Sequence, residues 1–263
     1  MHRQQYVFGG VDDDTERTRL RALEAAADAP TIQHLRDLGV GPGWRCLEVA
    51  AGAGSVARWL AQQAGPSGVV VASDLNPRFL EGMPANVEVR QHDVTNDDFE
   101  VATYDLVHSR LLLMHLSDAA AALDKMIQAL KPGGWLVTEE ADWGQFALEG
   151  HSDGAWATAF VHELFARHAA AGVRYPYFGR RLPGLVGGSG LEALRAQGTT
   201  DIARGSDDSA LLYRLPFEAL RPVNASVGAS DADLDRLKAV LDSPAVVITG
   251  VTIVTAWGRR VTR

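Results

Sequence analysis

Residues 47–57, LEVAAGAGSVA, join an apolar run to a helical pattern through a glycine-rich turn. A buried strand that ends in glycines and feeds a helix is the opening unit of a parallel α/β sheet. Glycine lets the chain turn tightly and lets its backbone approach a ligand. The unit repeats along the chain. Trp44–Ala51 reads as a first strand, and Ser55–Ala64 as a helix with Val56, Leu60 and Ala64 on one side. Residues 68–74, GVVVASD, form a strand too apolar to be half exposed, and a short helix spans 77–82. Further strands are expected over 87–91, 104–109 and 135–139, with a helix capped by Ser117 running through Leu130. Such alternation, with strands apolar on both faces, predicts a doubly wound, mostly parallel sheet.

The flanks are less regular. Acidic residues 13, 14 and 16 suit a helix start, and Pro30 restarts the pattern in a second stripe of Ile32, Leu35 and Leu38. One domain over 1–263 is expected: N-terminal helices over 1–38, a cofactor-binding core over 40–142, and helical cap segments over 143–190 and 207–243. A helix over 191–197, a strand over 200–204 and a last strand over 246–257 complete the reading. The net charge of −8 argues against a nucleic-acid partner, apart from a local patch of Arg180, Arg181, Arg195 and Arg204. The single cysteine, Cys46, sits in an apolar run and reads as a buried, inert thiol. The longest apolar stretch, AVVITGVTIVTAW, is shorter than a membrane span and rich in β-branched residues. The expectation is a cytoplasmic protein without a membrane span, monomeric or homodimeric. Only three of the 25 basic residues are Lys and alanine is abundant, which fits a GC-rich bacterial genome.

The glycine turn admits two cofactors. Gly52-Ala53-Gly54-Ser55-Val56-Ala57 matches G-x-G-x-x-A, and Asp74 follows 20 residues after Gly54, where it would accept from both ribose hydroxyls. On that pattern alone the ligand is a dinucleotide such as NAD, and the activity an oxidoreductase. Three features point elsewhere. Glu48 lies in the first strand, where a carboxylate crowds a pyrophosphate but suits a cofactor with an amino group and a sulfonium. Asp93 and Val94 end the third strand, where an acid can accept from an adenine amino group. Residues 123–140, LDKMIQALKPGGWLVTEE, join an amphipathic helix to the fifth strand through a Lys-Pro-Gly-Gly turn.

On these residues the chain resembles the class I S-adenosylmethionine-dependent methyltransferases, of the bacterial small-molecule type. The resemblance is strong over about 40–142. LEVAAGAG is similar to the family's first motif, with Ala50 where a glycine is usual, and ALKPGGWLV is similar to the segment before strand five. It implies a Rossmann-like, seven-stranded sheet with an antiparallel last strand, S-adenosyl-L-methionine as cofactor and S-adenosyl-L-homocysteine as product. Carried over, Glu48 would hold the methionine end indirectly. Ala50, Gly52 and Gly54 would form the loop, Asp74 would hold the ribose, and Leu75 would pack on the adenine. Asp93 and Val94 would meet the adenine edge, Ser109 would lie under the methionine moiety, and Tyr6 would close the site. Each acid also has a plain structural reading, as an ion pair, a helix cap or a turn.

A sulfonium is an activated methyl donor, so the protein must align and desolvate the acceptor; a base helps only where the nucleophile holds its proton. Candidates after strands four and five are His108, His115, Glu139, Glu140 and Asp142. Arg110 would pair with Glu140 or bind a carboxylate. The histidines at 151, 162 and 168 do not have metal-ligand spacing, so no metal is expected. The aromatic content of 143–178 suggests a small apolar or aromatic acceptor, with a packed helical core as the alternative. A third reading is a protein that binds this cofactor without transferring a methyl group.

Overall fold

The computed structural model describes residues 8–173 and 175–262. The first helix, α1 (Asp13–Asp37), is capped by Asp12, whose carboxylate accepts from the Thr15 amide at 3.0 Å. It runs through Pro30 without restarting. Proline removes one helical hydrogen bond, and packing of α1 against neighbouring helices outweighs that cost. The core then alternates as expected: β1 (Arg45–Val49), α2 (Ser55–Ala64), β2 (Val69–Asp74), β3 (Val87–Gln91), β4 (Tyr104–Arg110), α3 (Ala119–Ala129) and β5 (Leu130–Asp142). Asp118, not Ser117, caps α3 by accepting from the Ala121 amide at 3.0 Å. The second half carries β6 (Ala147–Glu149), α4 (Gly154–Ala170), α5 (Leu182–Gly187), β7 (Glu192–Arg204), α6 (Leu211–Ala219), α7 (Arg221–Ser226), α8 (Asp231–Leu241) and β8 (Val247–Arg259).

The strands form one eight-stranded sheet in the order β3-β2-β1-β4-β5-β8-β6, with β7 also paired to β8. β1 to β5 are parallel, and β8 runs antiparallel to β5, β6 and β7. Residues 247–249 pair with both β6 and β7, so β7 lies on the opposite side of β8 from β5 and β6. The sheet thus has one short strand more than the seven expected. The expected helix over 191–197 is the start of β7 instead. LEALRAQ has helical propensity, but its ladder along β8 overrides it.

Neighbouring residues within each central strand serve opposite layers. Cys46, Val70, Leu106 and Val137 pack with Leu35, Val56 and Leu60 on the α1–α2 face. Leu47, Val71, Val107 and Leu136 pack with Leu123 and Met126 on the other. This two-sided burial explains the near-continuous apolar strands. Burial pushes the Cys46 thiol well up, which keeps it protonated and inert. No helix among the described residues is long and apolar enough to cross a membrane.

Candidate cofactor and acceptor site

The chain leaves β1 through three left-handed residues, Ala50 (φ 60°), Gly52 (φ 58°) and Gly54 (φ 85°). The turn is tied to the end of β2. Asp74 accepts from the Gly52 amide at 3.0 Å and from the Asn76 amide at 2.9 Å. Burial raises the Asp74 pKa, and these two amides oppose the rise. A Cβ on Gly54 would come within 2.8 Å of the Leu80 side chain, so glycine there keeps the turn open as well as left-handed. Leu75 is exposed beside Asp74.

The N-terminus of α2 is already occupied. Glu24 of α1 accepts from the Ser55 amide at 3.1 Å, and Asp28 accepts from the Ser55 hydroxyl at 3.0 Å. Arg110 pairs with Asp28 at 2.9 Å and donates to Thr31 at 3.1 Å. The expected Arg110–Glu140 pair does not form. Helix N-termini attract anions, and here the chain supplies its own. Sequence reading of the glycine turn missed Glu24 and Asp28, because the signal lies in a distant helix.

Further round the rim, Asp93 accepts from the Thr95 amide at 3.0 Å, the Thr95 hydroxyl at 2.6 Å and the Asn96 side chain at 2.7 Å. It therefore organises its own turn, while Val94 is buried in the core. Ser109 is buried and shares a hydrogen bond with Thr138 at 3.1 Å. Tyr6 lies outside the described residues.

Glu48 faces away from the turn. The β1–β4 register sets it beside His108, and its carboxylate meets His108 Nδ1 at 2.7 Å. On the far side Glu139 lies 3.7 Å from Nε2, a charge contact too long for a hydrogen bond. Burial alone would lower the His108 pKa, but the Glu48 charge and then Glu139 raise it to about 9. Glu139 is held well down by His108, against its own burial, and accepts from Thr31 at 2.5 Å and Thr255 at 3.0 Å. The result is an imidazolium between two carboxylates, joining α1 to the sheet. His108 is thus fully buried inside the molecule.

Glu140 is also fully buried, on the opposite face. Its carboxylate accepts from the amides of Leu112, Leu113 and Met114 at 3.1, 2.6 and 3.1 Å, fixing the 3₁₀ turn Leu113–His115. Burial pushes it up to about 8 against those three amides. Asp142 is held low by Arg180, which it meets at 2.6 Å, although burial acts to raise it. Of the sequence candidates for a base, His108, Glu139, Glu140 and Asp142 are buried and His115 is half-buried. Among the described residues no three His, Cys, Asp or Glu side chains are placed to hold a metal ion.

A methyltransferase domain family model matches residues 47–138, the segment that carries this turn, Asp74 and β4. The core of the chain is thus similar to a methyltransferase domain over this segment. Methyltransferase str2 of Strobilurus tenacellus is 34% identical over 143 residues, which cover 53% of this chain and 50% of that protein. The ubiquinone/menaquinone biosynthesis C-methyltransferase UbiE of Ectopseudomonas mendocina is 34% identical over 111 residues, 39% of this chain and 43% of that one. The chain therefore spans about half the length of these curated relatives. Among solved structures, a putative sarcosine dimethylglycine methyltransferase from Galdieria sulphuraria shares the fold, with a TM-score of 0.56 at 16% identity, over 97% of this chain and 96% of that one.

Outside the matched segment, the chain carries its aromatic residues mostly as core. Trp143 packs edge-on to Phe165 at 4.6 Å and to Tyr213 at 6.1 Å, and Phe165 stacks on Phe217 at 5.8 Å. Trp143 and Phe165 thus belong to a packed helical core, the alternative that the aromatic segment left open. Two others do border a cavity. A space of about 500 Å³ is lined by Leu116, Tyr175, Phe178, Arg181 and Leu185 and by residues 117–120 at the start of α3. The Tyr175 amide donates to the Met114 carbonyl at 3.0 Å, so this wall is fastened to the turn that Glu140 holds. Arg181 lies over the Phe178 ring at 5.6 Å.

Proposed function

We propose that the protein transfers a methyl group from S-adenosyl-L-methionine to a small, apolar or aromatic acceptor by in-line displacement. The observation that carries the choice of cofactor is Glu24 on the first amide of α2. A dinucleotide pyrophosphate needs that helix end, and a carboxylate fixed there repels it. A cofactor with a sulfonium and an amino group, and no phosphate, is favoured by the same acids. The residues fit such a group: an open left-handed turn, Asp74 on its rim and Leu75 exposed beside it.

In this reading Asp74 holds the ribose hydroxyls and Leu75 covers the adenine. Asp93 and Val94 bound its edge, and Ala50, Gly52 and Gly54 offer backbone to the methionine end. The bound cofactor supplies an already activated methyl. Glu48 and His108 act at a distance, by fixing β1, β4 and α1 together. Glu140 and Ser109 position the segment after β4, and half-buried His115 takes a proton when the acceptor carries one. Support for the acceptor class comes from the cavity beside that segment, with two aromatic rings and one guanidinium. A lone buried thiol is in keeping with a cytoplasmic setting.

Calorimetric titration of the purified protein tests the cofactor. S-adenosyl-L-methionine and S-adenosyl-L-homocysteine are expected to bind and NAD is not. Asp74→Ala is expected to weaken binding by roughly 1–3 kcal/mol, the range for a lost hydrogen bond to a charged group. Binding of NAD alone would overturn the reading, and unchanged affinity in a folded Asp74→Ala protein would remove the ribose contact.

A further inference from the structure

The outer strand β7 has a free edge and almost no cover. Residues 192–200 are exposed throughout, on both faces. Edge strands of this length are ordinarily blunted by lysine, proline or a covering element, since their unpaired amides and carbonyls attract other strands. β7 contains neither lysine nor proline. Instead it carries two large apolar side chains into solvent, Leu194 at 40% and Ile202 at 74% exposure. The strand is regular against β8 from Arg195 to Thr200, with one extra residue near Ala193 (φ 53°) at its start and a second register shift, its extra residue on β8, between Thr200 and Ile202.

The sequence of this edge complements itself when reversed. Gly198 is the centre. Three residues to either side stand Arg195 and Asp201, four to either side Leu194 and Ile202, five to either side Ala193 and Ala203, and six to either side Glu192 and Arg204. Two antiparallel copies of β7 paired with Gly198 opposite Gly198 would therefore set Arg195 against Asp201 of the second copy, twice over. They would also place Leu194 beside Ile202, and bring Glu192 next to Arg204. Among the described residues, the side chains of Glu192, Arg195 and Arg204 make no ion pair within the chain. Asp201 accepts from the Tyr213 hydroxyl, an arrangement that fixes its carboxylate for a partner charge.

We propose that β7 is the interface of a two-fold homodimer, in which two copies of the chain join their sheets edge to edge about Gly198. The occupant is a second copy rather than a foreign strand, because both the charges and the apolar pair match under reversal of this one sequence. Opposite charges across strands and apolar cross-strand pairs are favourable, and like charges in register are not. Two-fold symmetry also uses up the edge, so assembly stops at two.

Sedimentation velocity across a concentration series reads the outcome directly. The wild-type chain is expected to sediment as a dimer that dissociates on dilution. Ile202→Lys is expected to sediment as a monomer at the same concentrations, since it places a charge opposite Leu194. Arg195→Glu is expected to weaken the dimer at least tenfold, by setting an acid against Asp201. Both positions are exposed, so circular dichroism and melting temperature should match the wild type. A wild-type chain that stays monomeric up to roughly 0.2 mM, where a dimer with Kd below about 10 µM is almost fully formed, overturns the proposal. So does a dimer that neither substitution weakens.

Discussion

Glu48→Gln removes one charge from the buried Glu48–His108–Glu139 row while keeping its shape. In the wild-type protein His108 is an imidazolium with one carboxylate at 2.7 Å and another at 3.7 Å, all three buried. Taking away one partner of a buried pair costs about 3–5 kcal/mol, because the remaining charge keeps its desolvation penalty. Glu139 still faces His108 in the variant, so the lower end, about 3 kcal/mol near pH 6, is expected. For a chain of this size that lowers the melting temperature by roughly 6–12 °C. The effect depends on pH with a definite sign. The folded pKa of His108, about 9, lies above its unfolded value of 6.5. The stabilisation is therefore complete below pH 6.5 and lost as pH rises through 9. The whole shift corresponds to about 3 kcal/mol, and Glu48 is the larger of the two favourable charges. The destabilisation by Glu48→Gln should accordingly shrink by about 2 kcal/mol between pH 6 and pH 9.5. Urea unfolding followed by circular dichroism at both pH values gives the two differences. A cost below about 1 kcal/mol at pH 6, or the same cost at both pH values, would refute the assignment of a charged His108.

Two other perturbations address the turns. Ala50 holds a left-handed conformation that costs an L-residue about 1–2 kcal/mol, so Ala50→Gly is expected to be neutral or to stabilise by up to about 1 kcal/mol after the added chain entropy of glycine; a clear loss of stability would mean that the Ala50 methyl packs usefully. Glu140 has the opposite linkage from an ordinary surface acid: its folded pKa, about 8, lies above its ordinary value of 4.5, so its contribution to stability falls as pH rises from 4.5 to 8. Glu140→Gln is expected to abolish that decline in urea titrations while loosening the 113–115 turn, since one amide oxygen cannot accept all three N–H bonds; a pH profile identical to the wild type would remove the buried-acid reading.

The fold was legible from residue 44 to 142 because those strands are buried on both faces and punctuated by glycine and proline. There the local pattern and the tertiary environment demand the same residues. It was not legible over 191–197, where LEALRAQ follows helical propensity and only the ladder with β8 makes it a strand. Pro30 shows the same limit from the other side: a local breaker sits within a continuous helix because the helix is packed along its length.

The candidate site divides in the same way. Asp74 and the glycines could be read from spacing, since the turn joins β1 to α2 and Asp74 ends β2, the next strand of the same strand–helix–strand unit. Glu48 could be picked out as unusual, but not its partner, because the β1–β4 register that brings it to His108 joins residues 60 apart in sequence. Its charge therefore discriminates between cofactors only through the frame it holds. The acids that act on the helix end, Glu24 and Asp28, come from α1, 31 and 27 residues before the serine they contact. A one-dimensional pattern that spans only the turn reads glycine spacing as an anion site. The fold then settles whether an anion is still needed there, and in this chain the first helix has already provided one.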